Sequence, residues 1–254
     1  MARDKHMCTT FRTSLILCCL LAAACTPALH IEPGPALNLN KPSLFAERQG
    51  HSWWQLRFRL TWPEGEQADL SRHLLIAEQI LLPVISEHED QLSLWRFHRR
   101  AARDGAGNQF SLIIFTDAAT AGKIEREVQD NPLTQWLQER SMIEKIAINK
   151  RSPEELGKLE ETSDKNWPPE IQRSWPYFIM GASQTWLMLV QEISREQALA
   201  GNIDYHQLLE HYRIVDSKLN VQWRDYGQHA YLHHLNAVFG YQPVRIRSSE
   251  FRSF

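Results

Sequence analysis

Four short runs with strand-like patterning and two amphipathic stretches of 3.6-residue period follow one another as strand, helix, strand, strand, helix, strand, and from about residue 151 onward the patterning is almost wholly helical. Together these observations predict an α+β fold, a ferredoxin-like (split βαβ) sheet followed by a mostly helical C-terminal half. The 254 residues include nine tryptophans, ample material for one large core. The expected division is a leader over 1–24, a modified cysteine and flexible tether over 25–50, a sheet subdomain over 51–150 and a helical subdomain packed on it over 151–254.

The elements follow in order. Ser52 to Trp62 alternates, with Trp54, Leu56, Phe58 and Leu60 on one side and Gln55, Arg57, Arg59 and Thr61 on the other, as a half-buried strand requires. Pro63-Glu64-Gly65 ends it. Asp69 is placed to cap a helix whose Leu70, Leu74, Ala77, Ile80, Leu81 and Val84 repeat at helical spacing, and Pro83 is expected to kink or end its regular part. Leu92 to Ala101 reads as a second strand and Gln109 to Phe115 as a third, joined by the turn signal Asp104-Gly105-Ala106-Gly107-Asn108 into a hairpin. Asp117 caps the next helix, Ala118 to about Gln129; Asn131-Pro132 restarts helix with proline at its first position, and Met142 to Ile148 is a short fourth strand.

In the second half, Ser152-Pro153-Glu154-Glu155 has the form of a capping-box helix start. After Trp167-Pro168-Pro169 comes a helix from Ile171 to about Gln197, apolar from Tyr177 to Ile193 except at Ser183, Gln184 and Thr185. That run suits a buried core helix rather than a membrane span. Gly201 and Asp204 separate it from a helix with Leu208, Leu209, Tyr212, Val215, Leu219 and Trp223 on one stripe. A last, separate helix from Gln228 to Phe239 stops at Gly240, and Val244 to Arg247 is a candidate edge strand.

The first 24 residues read as an export leader: Arg3, Lys5 and Arg12 precede an apolar stretch from Leu15 to Leu21, too short for a membrane span. Ala22-Ala23-Ala24-Cys25 follows, two small residues and a third before a cysteine. In this the chain resembles bacterial lipoprotein precursors. The resemblance implies cleavage before Cys25, lipid on the Cys25 sulfur and a membrane anchor through that lipid. Thr26 in place of an aspartate then implies sorting to the outer membrane, facing the periplasm. All four cysteines, Cys8, Cys18, Cys19 and Cys25, lie at or before the cut, so the exported domain would hold together without disulfides. Pro27, Pro33, Pro35 and Pro42 make the following segment a tether.

Charge narrows the function classes. Removing three basic residues and one acid with the leader from totals of 28 and 30 leaves a net charge of about −4, which leaves no electrostatic case for nucleic acid. The basic residues Arg96, His98, Arg99, Arg100 and Arg103 gather on the second strand and its turn. Arg96, His98 and Arg100 share one face and are candidate ligand-binding residues for an anion, although ion pairs with the acid-rich helices would also account for the cluster. His229 and His233, four apart with His234 adjacent, can present two imidazoles to a divalent metal, with His206, Glu210 or His211 completing the site if two helices pair; a solvated helix face is the plainer reading. His229-Ala230-Tyr231-Leu232-His233 lacks the glutamate of a zinc-protease helix, and no phosphate loop or nucleophile elbow is present.

The segments Trp53-Trp54-Gln55-Leu56-Arg57-Phe58, Leu82-Pro83-Val84 and Leu94-Trp95-Arg96-Phe97-His98-Arg99-Arg100 make residues 52 to 148 similar in architecture to the C-terminal domain of lantibiotic dehydratases and thiopeptide-forming enzymes. Asn108-Gln109-Phe110-Ser111-Leu112 departs from the polar strand of that family, and no catalytic residue carries over. The sequence therefore leads to a non-enzymatic envelope lipoprotein that binds a protein partner or another envelope component and needs no cofactor. The alternatives are a metal- or ligand-dependent enzyme using His229 and His233, and a periplasmic small-ligand carrier with a pocket between sheet and helices.

Overall fold

Alternation along the first strand sets the architecture. A computed structural model describes residues 50–149, 157–197 and 204–243; the leader, Cys25, the tether, Ser152 to Glu155 and Val244 to Arg247 lie outside the described residues. β1 (Ser52–Leu60) turns Trp54, Leu56, Phe58 and Leu60 towards the main core and is the second strand from one edge of a four-stranded antiparallel sheet. Its neighbours are β3 (Asn108–Thr116) and β4 (Ile143–Ile148), and β2 (Leu94–Ala101) pairs with the far side of β3. The order β2-β3-β1-β4 is the ferredoxin-like one.

One face of this sheet is covered by helices. The first rod comprises α1 (Ser71–Leu75), a π-helical stretch (Ile76–Leu81) and α2 (Leu82–Glu87). The N-cap is Leu70, without a side-chain cap bond, and not Asp69 as expected; Asp69, one residue earlier, accepts from the Ser71 N–H at 3.2 Å. Pro83 does not end the rod, because it falls in the first turn of α2, directly after the π-helical stretch that absorbs the irregularity. α3 (Ala118–Asp130) and α4 (Pro132–Glu139) are capped by the Asp117 and Asn131 side chains, each accepting two backbone N–H bonds.

The helical half continues the same core rather than building a second one. α5 (Pro169–Glu196) contributes Leu187, Val190 and Ile193, and α6 (Tyr205–Gly227) contributes Leu208, Leu209, Tyr212, Val215 and Leu219. A capping box between Asp204 and Gln207 opens α6. Trp223 leaves the predicted stripe and is 57 % exposed. The expected separate last helix is also corrected: α6 passes without a break through a π-helical stretch (Gln228–His233) into α7 (His234–Val238), since Gly227 and Gln228 keep helical backbone angles. No residue beyond Gly227 in this rod is buried. Among the described residues, no helix is long and apolar enough to cross a membrane.

Polar side chains fasten the parts. The edge strand β2 offers the Phe97 N–H outward, and Ser183 Oγ of α5 accepts it at 3.0 Å while donating to the Ile179 carbonyl at 2.8 Å. At the other edge Asn149 stands in for strand backbone: its amide oxygen accepts from the Gln55 N–H and its amide nitrogen donates to the Trp53 carbonyl. Between the π-helical stretch and α6, Tyr212 donates to Glu78 Oε2 at 2.8 Å and accepts from Gln79 at 2.7 Å, with Tyr212 and Glu78 buried and Gln79 half-buried. Burial pushes the Glu78 carboxyl up to about 7, more than its bond from Tyr212 lowers it.

Two outcomes follow for stability. Ser183→Ala leaves the buried Phe97 N–H unpaired and should lower unfolding free energy by about 1–2 kcal/mol in urea titrations. Because the folded protein holds the Glu78 proton more tightly than the unfolded chain, this group costs stability as pH rises from its unfolded value to about 7. Glu78→Gln should therefore raise the melting temperature at pH 8 and leave it unchanged at pH 4, as followed by circular dichroism.

Candidate functional site

The period of two that sends Trp95 and Phe97 into the main core sends Leu94, Arg96, His98 and Arg100 to the opposite face of the sheet. There Trp53, Leu94, Ile113 and Phe115 form a second, smaller apolar cluster with Leu159 of a 3₁₀ turn (Leu159–Thr162), and Tyr177 and Met180 of α5 pack against it. The Trp53 indole donates to the Leu159 carbonyl at 3.0 Å and fixes that turn over the sheet. The cover is partial. It leaves a cleft of about 330 Å³ lined by Trp53, Trp54, Gln55, Arg96, His98, Ile113, Asn149 and Thr162, within the size range of small-molecule sites.

Arg96 is the unusual group in it. The residue is 8 % exposed and its Nε–H has no hydrogen-bond partner. Trp175 of α5 stacks over the guanidinium, 4.8 Å from Cζ to the ring centre, and among the described residues no carboxylate lies within ion-pair distance of it. Burial brings its pKa down to about 10, so the charge is still present at neutral pH. The Thr162 hydroxyl is buried and unpaired as well. By contrast the amides around them are committed, Gln55 donating to Ser111 Oγ at 3.3 Å and Asn149 bonded to β1 backbone at both ends.

The sequence-predicted residues separate here. Arg96 and His98 meet in the cleft. His98 is exposed at its mouth, and partial burial with the charges of Arg96 and Arg100 holds its imidazole below the usual value. Arg100 turns instead to Asp104, four residues on, in an exposed ion pair. Arg99 faces the other way, stacked on Trp186 and 3.8 Å from Asp216, and Arg103 binds the carbonyls of Trp62, Pro63 and Glu66. Ion pairing thus accounts for Arg99 and Arg100 but not for Arg96.

His229 and His233 stack with ring centres 5.4 Å apart on the exposed end of the rod. The helix pairing that would bring His206, Glu210 or His211 to them is corrected: these residues lie some six turns earlier on the same continuous rod, and His211 is bonded to Ser194 at 2.9 Å. Among the described residues, the donor atoms of Glu87, His88 and Glu127 do converge as a metal would require, within 4.8 Å of one another. In this structure His88 Nε2 is hydrogen-bonded to Glu127 at 2.8 Å, joining α2 to α3.

Sequence reading missed Trp53, Gln55, Ile113, Asn149, Thr162 and Trp175 as parts of the site. Trp53 had a signal, since a tryptophan on the polar side of an alternating strand needs a cover of its own; Thr162 and Trp175 come from beyond the sheet and had none. No family model and no curated protein matches the chain. A solved structure similar to part of it is a dimeric ferredoxin-like protein of unknown function from Thermobifida fusca, with 14 % sequence identity over 40 % of this chain and 90 % of that one and a TM-score of 0.23.

A guanidinium buried without a counter-charge destabilises the fold that holds it. Arg96→Met, which keeps the stem under Trp175, should raise unfolding free energy by about 0.5–2 kcal/mol, the range typical when a functional residue is relaxed. Denaturant titration of the ligand-free protein measures it.

Proposed function

We propose that this chain is an envelope lipoprotein, anchored through lipid on Cys25 to the periplasmic side of the outer membrane, whose folded domain is a binding module that holds a small anion in the sheet-face cleft. The observation that carries the binding role is Arg96, a cation nine-tenths removed from water, stacked on Trp175 and facing a cleft with its Nε–H unpaired. An anion supplies what that group lacks. Of the roles open to a tethered domain, this favours carriage or sensing of a small ligand over catalysis, because the cleft holds no nucleophile beside a base and its imidazole stands at the mouth.

An adaptor role has its own support in a different place. Trp223, Tyr226, Leu232, Leu235, Val238 and Phe239 are exposed along the far end of the α6–α7 rod, more apolar surface than isolated exposed residues give.

Two measurements test the reading. Mass spectrometry of protein extracted from native membranes should find an N-terminal Cys25 bearing lipid, and Cys25→Ser should abolish membrane retention; an intact leader or an unmodified thiol on soluble protein contradicts the anchor. A panel of acetate, sulfate, phosphate and aryl carboxylates should contain at least one anion that raises the melting temperature saturably in the wild type and not in Arg96→Met. If no anion separates the two proteins, the binding role is wrong.

A further inference from the structure

What the cleft offers a ligand is limited, and the limits define the ligand. Trp175 covers one face of the Arg96 guanidinium, which leaves its in-plane N–H groups, and the unpaired Nε–H is one of them. The Nε–H itself is sealed from solvent, so the fork offered to two coplanar oxygens on one atom is that of the two terminal N–H groups. Thr162 lines the same cleft, its hydroxyl buried and without a bond.

Among the described residues that line the cleft, no other side chain supplies a second charge. His98 is held below its usual pKa by partial burial and by Arg96 and Arg100, so at neutral pH it brings no further charge. Arg100 is occupied by Asp104, and Arg57, on the same sheet face, is exposed to water outside the cleft, where its charge is screened. A phosphate monoester carries a charge of about −1.5 to −2 near neutral pH and would leave part of it uncompensated in a half-buried site. Polar substituents fare no better. One N–H of each of the Gln55 and Asn149 amides is used, by Ser111 and by the Trp53 carbonyl, so a hydroxyl-rich body would regain only part of the bonds it loses to water. The remaining walls are Trp53, Trp54 and Ile113, apolar, two of them flat indoles.

We infer that the ligand of this cleft is a monocarboxylate with a flat apolar body, its carboxylate in the plane of the Arg96 guanidinium and its body against Trp53 and Ile113. The inference rests on the anion-site reading above and narrows it to one ligand class.

Calorimetric titration of the purified protein with three probes of one shape tests it: 2-naphthoate, the neutral 2-naphthamide and 2-naphthyl phosphate, with acetate as the body-less control. The expected result is saturable 1:1 binding of 2-naphthoate, tighter than each of the other three by about ten-fold or more, the worth of one charge-assisted bond or of the buried ring. Quenching of tryptophan fluorescence should accompany it. Arg96→Met, expected to fold at least as stably as the wild type, should remove the preference for naphthoate over naphthamide. If the phosphate ester or acetate binds as tightly as naphthoate, the ligand class is wrong and the anion site stands. If naphthamide binds as tightly as naphthoate, or none of the probes binds, the carboxylate assignment fails, and in the first case the cleft is an apolar site without use for its cation.

Discussion

A positive charge taken out of water needs a counter-charge or a reason, and among the described residues Arg96 has no ion-pair partner. The reason is the strand on which it sits. Trp95 and Phe97 on either side belong to the main core, and Phe97 makes edge-to-face contact with Trp186, so the two-residue period of β2 leaves Arg96 only the opposite face. That face would be open to solvent in a bare four-stranded sheet. Here the 3₁₀ turn, held by Trp53, and the first turns of α5 close over it and take the guanidinium out of water. Stacking on Trp175 compensates part of the desolvation. The hydrogen-bonding demand is left over, on a side chain that lines a cleft.

The helical half is what turns a common sheet into this site. α5 runs along the edge of β2, with Ser183 answering the Phe97 N–H and Trp175 lying over Arg96 eight residues earlier on the same helix. Its position is secured further along by Leu187, Val190 and Ile193 in the shared core. α6 is held to the first rod by Leu208, Tyr212 and Val215 and by the Tyr212–Glu78 bond. A displacement of α5 would therefore change the edge of the sheet, the roof of the cleft and the surroundings of Arg96 together. The far end of α6 and α7 takes no part in this, and its apolar side chains remain on the surface.

Much of the frame could be read from residue order. The alternation of Trp54, Leu56, Phe58 and Leu60, the Asp104–Asn108 turn, the cap at Asp117 and the restart at Asn131-Pro132 are local signals, and each produced the element expected of it. The sheet order followed from the order of strands and helices. What was hidden depends on distant residues. Nothing near Arg96 in the chain says that it stays unpaired, whereas the partner of Arg100 stands four residues away, within reach of a local reading. The continuity of the last rod was obscured because Gly227 and the polar residues after it suggest an end, while the backbone keeps helical angles through them. That continuity separates His229 and His233 from the ligands that would have joined them. Asn149, replacing strand backbone with its own amide, has no sequence signal at all.

The state of Arg96 itself is open to direct observation. In a ¹H–¹⁵N spectrum of arginine side chains, with Arg96→Met used for assignment, the account predicts an Arg96 Nε–H resonance, protected from solvent exchange by burial, that moves saturably when an aryl carboxylate is added. A resonance that exchanges as fast as those of surface arginines, or one that ignores the carboxylate at concentrations that saturate an ordinary anion site, would contradict it.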